Sequence, residues 1–152
     1  MKPDLITRLF HVWFLMTRAM TLGVRGLAFD AQGRVLLVKH TYVSGWHMPG
    51  GGVEPGQTTV EALAMELREE ANSEFGDPPR LRSVHFSNRI TRRDHVVVYL
   101  CENIRQLAPK TADREILAAE FFALDELPEG ITESSTARIR EFTEGVTADP
   151  YW

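Results

Sequence analysis

The sequence predicts an α+β chain, a mixed β-sheet held between helices, and three observations lead there. Strand-like and helix-like segments alternate without the regular strand–helix–strand rhythm of a parallel sheet. Two early apolar runs, Thr21–Phe29 and Arg34–His40, are joined by the turn signal Asp30-Ala31-Gln32-Gly33 and read as a β-hairpin. Further on, Thr58-Thr59-Val60-Glu61 matches a capping box at the head of a helical pattern. The length, 152 residues, suits one domain with a self-sufficient core. The formal net charge of −4 argues against sequence-independent nucleic-acid binding, which needs surplus Lys and Arg. The single cysteine, Cys101, can form neither an intrachain disulfide nor a Cys-rich zinc site, so a reducing, cytoplasmic compartment is expected.

Residues 1–20 make an N-terminal unit. Along Leu5–Met16, helical spacing gathers Leu5, Leu9, Trp13 and Met16 on one wide apolar arc with Ile6, Phe10, Val12 and Phe14. Thr7, Arg8, His11 and Arg18 fall opposite, with Leu15 among them. The stretch between Arg8 and Arg18 is far short of the roughly 20 apolar residues a spanning helix needs. Packing on the domain or on a second copy in a homodimer is the expected use. Contact with a membrane surface, helped by Lys2, Arg8 and Arg18, is the alternative.

Residues 21–145 are the domain and 146–152 a C-terminal tail. After the two early strands comes a glycine-rich loop, Met48-Pro49-Gly50-Gly51-Gly52, and then a helix over Thr58–Ala71. Asn72 stands where that helix stops, because Asn tolerates the left-handed conformation of a C-cap. Strands over Leu81–Ser87 and His95–Cys101 are joined by the basic loop Asn88–Asp94. A polar linker, Gln106–Arg114, leads to a strand near Ala118–Phe122, a loop over Leu124–Ile131, and a last helix over Glu133–Thr143.

The helix over Thr58–Ala71 carries the chemistry. Glu66, Glu69 and Glu70 share one arc, at i,i+3 and i,i+4 spacing, with small Ala62 inside it, and Arg68 falls on the other side. Like charges so spaced cost a helix roughly 0.2–0.5 kcal/mol per pair. They also lie toward the negative end of the helix dipole. A bound divalent cation would supply the missing positive charge, and carboxylate oxygens suit Mg²⁺ or Mn²⁺. A solvated acidic face is the alternative. The glycine run ahead of the helix favours the cation, since Gly lets backbone groups approach a phosphate or metal closely.

From Gly51 to Ser73 the chain reads GGVEPGQTTVEALAMELREEANS. This resembles the box of the Nudix hydrolase family (MutT-like), G-x5-E-x7-R-E-U-x-E-E-x-G-U, in which U is a bulky aliphatic residue. Gly51, Glu66, Leu67, Glu69 and Glu70 match. Gln57, Met65, Asn72 and Ser73 depart, so the box is divergent. The resemblance extends in element order over Thr21–Thr143. It implies an α/β/α sandwich around a mixed sheet. It also implies water attack on phosphorus in a nucleoside diphosphate linked to another moiety, with Mg²⁺ or Mn²⁺ as cofactor. The implied metal ligands are Glu66, Glu69 and Glu70 with a backbone carbonyl of Gly50 or Gly51. Glu66 is a candidate general base; Glu102, Glu115 and Glu120 are others.

Gln57 and Met65 stand where the family has a Glu and an Arg that pair to organise loop and helix. Both charges are missing together, which leaves neither uncompensated. A catalytically weakened nucleotide-binding module is the alternative function. Arg89, Arg92 and Arg93 could hold substrate phosphates, and Tyr42, Trp46 or Phe86 could stack on a base. His40, His47, His85 and His95 have no metal-ligand spacing. The expected partner is a small nucleotide substrate.

Overall fold

A computed structural model describes residues 4–152. Lys2, counted above as part of the basic flank, lies outside them. Three helices are described: α1 (Leu5–Arg18), α2 (Thr59–Ala71) and α3 (Glu133–Thr143). The strands are β1 (Thr21–Ala28), β2 (Val35–His40), β3 (Trp46–His47), β4 (Ser73–Glu74), β5 (Arg80–Ser87), β6 (Asp94–Cys101), β7 (Arg105–Gln106) and β8 (Ile116–Phe122). The very short β3, β4 and β7 leave no two-residue period to find, and the sequence does not predict them.

One sheet runs β1-β6-β5, with β1 parallel and β5 antiparallel to β6. A second, antiparallel throughout, runs β3-β2-β8. Both bury side chains on two faces. Val24, Leu36, Val38 and Val97 meet Leu63, Leu67 and Ala71 of α2 in one core. Leu27, Val35, Leu37, Val96 and Val98 meet Ile139 and Phe142 of α3 in the other. The alternation is strict along Val35-Leu36-Leu37-Val38, as a pleated strand requires when both faces are covered. The result is an α/β/α sandwich. Burying one Leu or Val side chain in such a core contributes roughly 1.5–3 kcal/mol.

The predicted hairpin of the first two strands is not formed. Its turn exists, with the Gly33 N–H donating to the Asp30 carbonyl at 3.0 Å. Beyond a single bridge, Phe29 to Val35, the two strands part into different sheets. The edge of β1 that a hairpin would use is taken by the glycine-rich loop. Val24 N–H donates to the Gly51 carbonyl, Gly26 N–H to Pro49, and Val53 N–H to Leu22, all within 2.8–2.9 Å. The loop can lie this close because Gly50 has no side chain: a Cβ there would fall 2.0 Å from the Val24 carbonyl oxygen of β1.

Helix α2 starts and stops as its sequence predicts. Thr58 and Glu61 form the reciprocal capping box, and Asn72 takes the left-handed conformation at φ 49°. Its buried face is displaced from the predicted one. Ala62, placed on the open acidic arc by spacing alone, is fully buried, and Glu70 is buried as well. Residues 146–152 are more than a tail: Pro150 and Trp152 exchange backbone hydrogen bonds with Phe86, extending the sheet past β5. Helix α1 has no buried residue. Among the described residues, no helix is long and apolar enough to cross a membrane.

Candidate active site

The Met48–Val53 loop is stitched to β1 on one side and faces α2 on the other. Gly50 is held at φ 140°, where a Cβ would fall 2.0 Å from the Val24 carbonyl oxygen. This conformation aims its N–H at α2, where it donates to Glu70 Oε2 at 2.8 Å. Its carbonyl faces the other way and accepts from the Arg25 guanidinium. A Cβ on Gly51 would lie 2.1 Å from Glu66 Oε1, so the missing side chain is the space that the Glu66 carboxylate fills.

Glu66, Glu69 and Glu70 therefore line one cleft of about 1040 Å³ together with Gly50 and Gly51. They are not alike in it: Glu69 is exposed, Glu66 half-buried and Glu70 buried. Burial, reinforced by the charge of Glu69, raises the pKa of Glu66. Burial raises Glu70 to about 7, against the opposing Gly50 N–H and Arg25 charge. The crowding of negative charge that the helix spacing predicts is thus present in space.

Arg25, His40 and His47 also line the cleft, and sequence patterning assigned none of them a role. A lone Arg inside the apolar run TLGVRGLAF was the available signal for Arg25. His40 Nε2 lies 3.4 Å from Glu70 Oε1. Burial, with His47 and Arg25 nearby, lowers His40 to about 4, so at neutral pH this is a neutral imidazole beside a carboxyl group rather than an ion pair. Burial lowers His47 as well.

Of the predicted phosphate-binding arginines, Arg89 lines the cleft; Arg92 and Arg93 lie outside its lining. Tyr42 borders it, whereas Trp46 packs on Phe122 and Phe86 on Tyr151. Among the candidate bases, Glu66 and Glu115 face the cleft. Glu102 is instead paired with Arg80, and Glu120 lines a smaller depression beside Lys110. Gln57 and Met65 do touch, with Nε2 3.8 Å from Sδ, and Gln57 Oε1 accepts from the Glu54 N–H at 3.1 Å.

The donor set suits a hard divalent cation that keeps part of its water shell. It offers carboxylate oxygens whose ionised forms are disfavoured by burial and by each other, beside a backbone with no Cβ in the way. Among the described residues, no three His, Cys, Asp or Glu side chains form a closed metal cage. Mg²⁺ needs none, since one or two carboxylates and waters commonly hold it. The carbonyls of Gly50 and Gly51 already accept hydrogen bonds from Arg25 and from the Val24 N–H.

Known proteins share this architecture. Residues 20–144 match the family model of the NUDIX domain. The chain is 32% identical over 108 residues to human 8-oxo-dGDP phosphatase NUDT18, covering 69% of this chain and 33% of that protein. It thus spans about a third of the length of that relative. A MutT Nudix hydrolase from Burkholderia pseudomallei superposes with a TM-score of 0.67 at 24% identity, over 79% of this chain and 95% of that one. An ADP-ribose pyrophosphatase from Streptococcus suis superposes with a TM-score of 0.57 at 23% identity, over 85% and 96%. These two likenesses are of fold. With the family model covering β1 through α3, and the glycine loop and acidic helix meeting in one cleft, the chain belongs to the Nudix hydrolase family.

Proposed function

We propose that the cleft hydrolyses a nucleoside diphosphate linked to another moiety, with Mg²⁺ or Mn²⁺ as cofactor. The observation that carries this reading is the meeting of Gly50, Gly51, Glu66, Glu69 and Glu70 at one wall, with the cations Arg25 and Arg89 on the same cleft. The human relative is named for 8-oxo-dGDP, a nucleoside diphosphate, and the streptococcal neighbour for ADP-ribose, a nucleoside diphosphate linked to a sugar; both names support this substrate class.

Glu66, Glu69 and Glu70 would hold the cation. When bound, it supplies a polarised phosphoryl oxygen and a water of lowered pKa. Glu66, half-buried with a raised pKa, is suited to take the proton of the attacking water, and Glu115 is the other carboxylate so placed. Arg25 holds the Gly50 carbonyl and leaves the Gly50 N–H on Glu70, so the loop keeps its distance from α2. Arg89, which lines the same cleft, would meet substrate phosphate.

The test is a screen of nucleoside diphosphate derivatives with Mg²⁺ and Mn²⁺, together with melting curves. A ligand that binds only the folded state stabilises by about 2.7 kcal/mol at a hundred times its Kd, so either cation should raise the Tm by several degrees. Unchanged melting and no turnover at saturating cation would sink the metal site. Tight, metal-independent nucleotide binding without turnover would establish the binding-module alternative.

The contact of Gln57 with Met65 carries its own prediction. Gln57→Glu alone adds a carboxylate beside a thioether; Met65→Arg alone adds a cation without a charged partner. Together they restore an opposite-charge pair. A double-mutant cycle read by melting and turnover should show favourable coupling of roughly 0.5–3 kcal/mol. Additivity in both readouts would mean that the contact does not organise the loop.

A further inference from the structure

We infer that α1 and the Asn88–Arg93 loop together form a surface that docks on an anionic lipid bilayer. The inference is independent of the cleft's chemistry. Helix α1 places Phe10, Trp13 and Phe14 at 57%, 49% and 39% exposure, and none of its residues is buried. Its remaining arc carries Arg8, His11 and Arg18, and its first turn has no acidic residue. An apolar face of this breadth, edged by cations and too short to span, is the pattern of a helix lying in the membrane interface.

The second observation comes from the loop. Ile90, at its tip, is 96% exposed, and Arg89, Arg92 and Arg93 flank it. A hairpin turn does not require an apolar tip; an interface does. The loop adjoins the end of α1: the Thr21 N–H donates to the Arg93 carbonyl at 2.9 Å, and Arg93 Nη1 lies 3.5 Å from the Ala19 carbonyl. Arg18 stacks over Phe14 at 4.9 Å, on the same stretch of helix. The base of the loop and the C-terminal end of α1 are therefore neighbours, and each carries arginine.

Charge selects the occupant. The chain carries −4 overall, yet this end presents Arg8, Arg18, Arg89, Arg92 and Arg93. Anionic headgroups complement that sign, at about a fivefold gain in partitioning per basic residue near the surface. A second copy would present the same arginines to their own images across a two-fold axis. Because Leu22, Arg89 and Ile90 also line the cleft, docking by this surface sets the cleft mouth beside the bilayer.

The test uses the full chain and sedimentation with vesicles of phosphatidylcholine, with or without phosphatidylglycerol. Binding to the anionic vesicles, weakened by salt, is expected. Trp13→Ser with Phe10→Ser should abolish it, and Arg92→Ala with Arg93→Ala should lower it about fivefold for each arginine. All four side chains are exposed, so the variants should melt as wild type does. Failure to bind anionic vesicles, or binding that both double variants retain, overturns the proposal. A dimer in size exclusion that Trp13→Ser with Phe10→Ser dissolves, without any vesicle binding, assigns the surface to a second copy instead.

Discussion

Glu66→Gln is expected to lower kcat by about 10²–10⁴-fold, the range a positioned base contributes, with little change in melting temperature. The side chain is half-buried against Gly51, and Gln has nearly the same shape. Glu70→Gln should also remove most cation-dependent turnover, and it has a second readout that needs no substrate. Glu70 is raised in the fold from 4.5 to about 7. A carboxyl group so shifted binds its proton more tightly when folded. Its stabilising effect is therefore full below 4.5 and is lost as the pH rises through 7. The loss amounts to about 3 kcal/mol at most in the metal-free protein. His40 works in the opposite sense: lowered from 6.5 to about 4, it costs stability as the pH falls through that window. The two windows overlap, so in wild type the slopes oppose and largely cancel between pH 4.5 and 6.5; Glu70→Gln should remove the opposing contribution and uncover the full loss from His40 as the pH falls. Denaturant unfolding of the chelator-treated proteins across this pH range measures both slopes. Identical pH profiles for wild type and variant would mean that Glu70 ionises as it does in the unfolded chain. Wild-type kcat in Glu66→Gln would remove Glu66 from the chemistry.

The second expectation separates two adjacent glycines. Gly50→Ala should destabilise the protein by more than 3 kcal/mol. A Cβ there would strike the Val24 carbonyl oxygen and the Arg25 Cα, both backbone, in a conformation that L side chains rarely adopt. The loop would have to leave β1, taking the N–H from Glu70 and the carbonyl from Arg25. Gly51→Ala meets only the end of the Glu66 side chain, which can swing away. It should cost about 1 kcal/mol or less in stability and still lose activity by at least tenfold, because the Glu66 carboxylate no longer lies against the loop. Melting and turnover of the two variants, side by side, give the check. Equal losses of stability would show that the loop relaxes as a unit and that the two contacts are not distinct.

What the sequence determined by itself was local. The capping box at Thr58 and Glu61, the left-handed stop at Asn72 and the last helix depend on neighbouring residues and on one period, and all appear where expected. The grouping of Glu66, Glu69 and Glu70 follows from the same helical spacing, and the Gly51-to-Ser73 pattern was enough to suggest the family that the comparisons show. What only the tertiary structure decided was which elements meet. Asp30–Gly33 is a sound turn, but a turn does not choose a strand's partner; β1 pairs with β6 on one edge and takes the glycine loop on the other, where a side chain at Gly50 would collide with the Val24 carbonyl. The recruitment of Arg25, His40 and His47 to the cleft joins residues from separate elements, with no spacing for a motif to record. The tail is pinned by backbone hydrogen bonds to Phe86 and by His85, Arg138 and Glu141, partners from separate elements that no local pattern records. Spacing placed Ala62 on an open face and gave the three glutamates one common surface. Burial depends on what packs against a helix, and here the glycine loop and His40 of β2 lie against Glu70 while Glu69 stays in water.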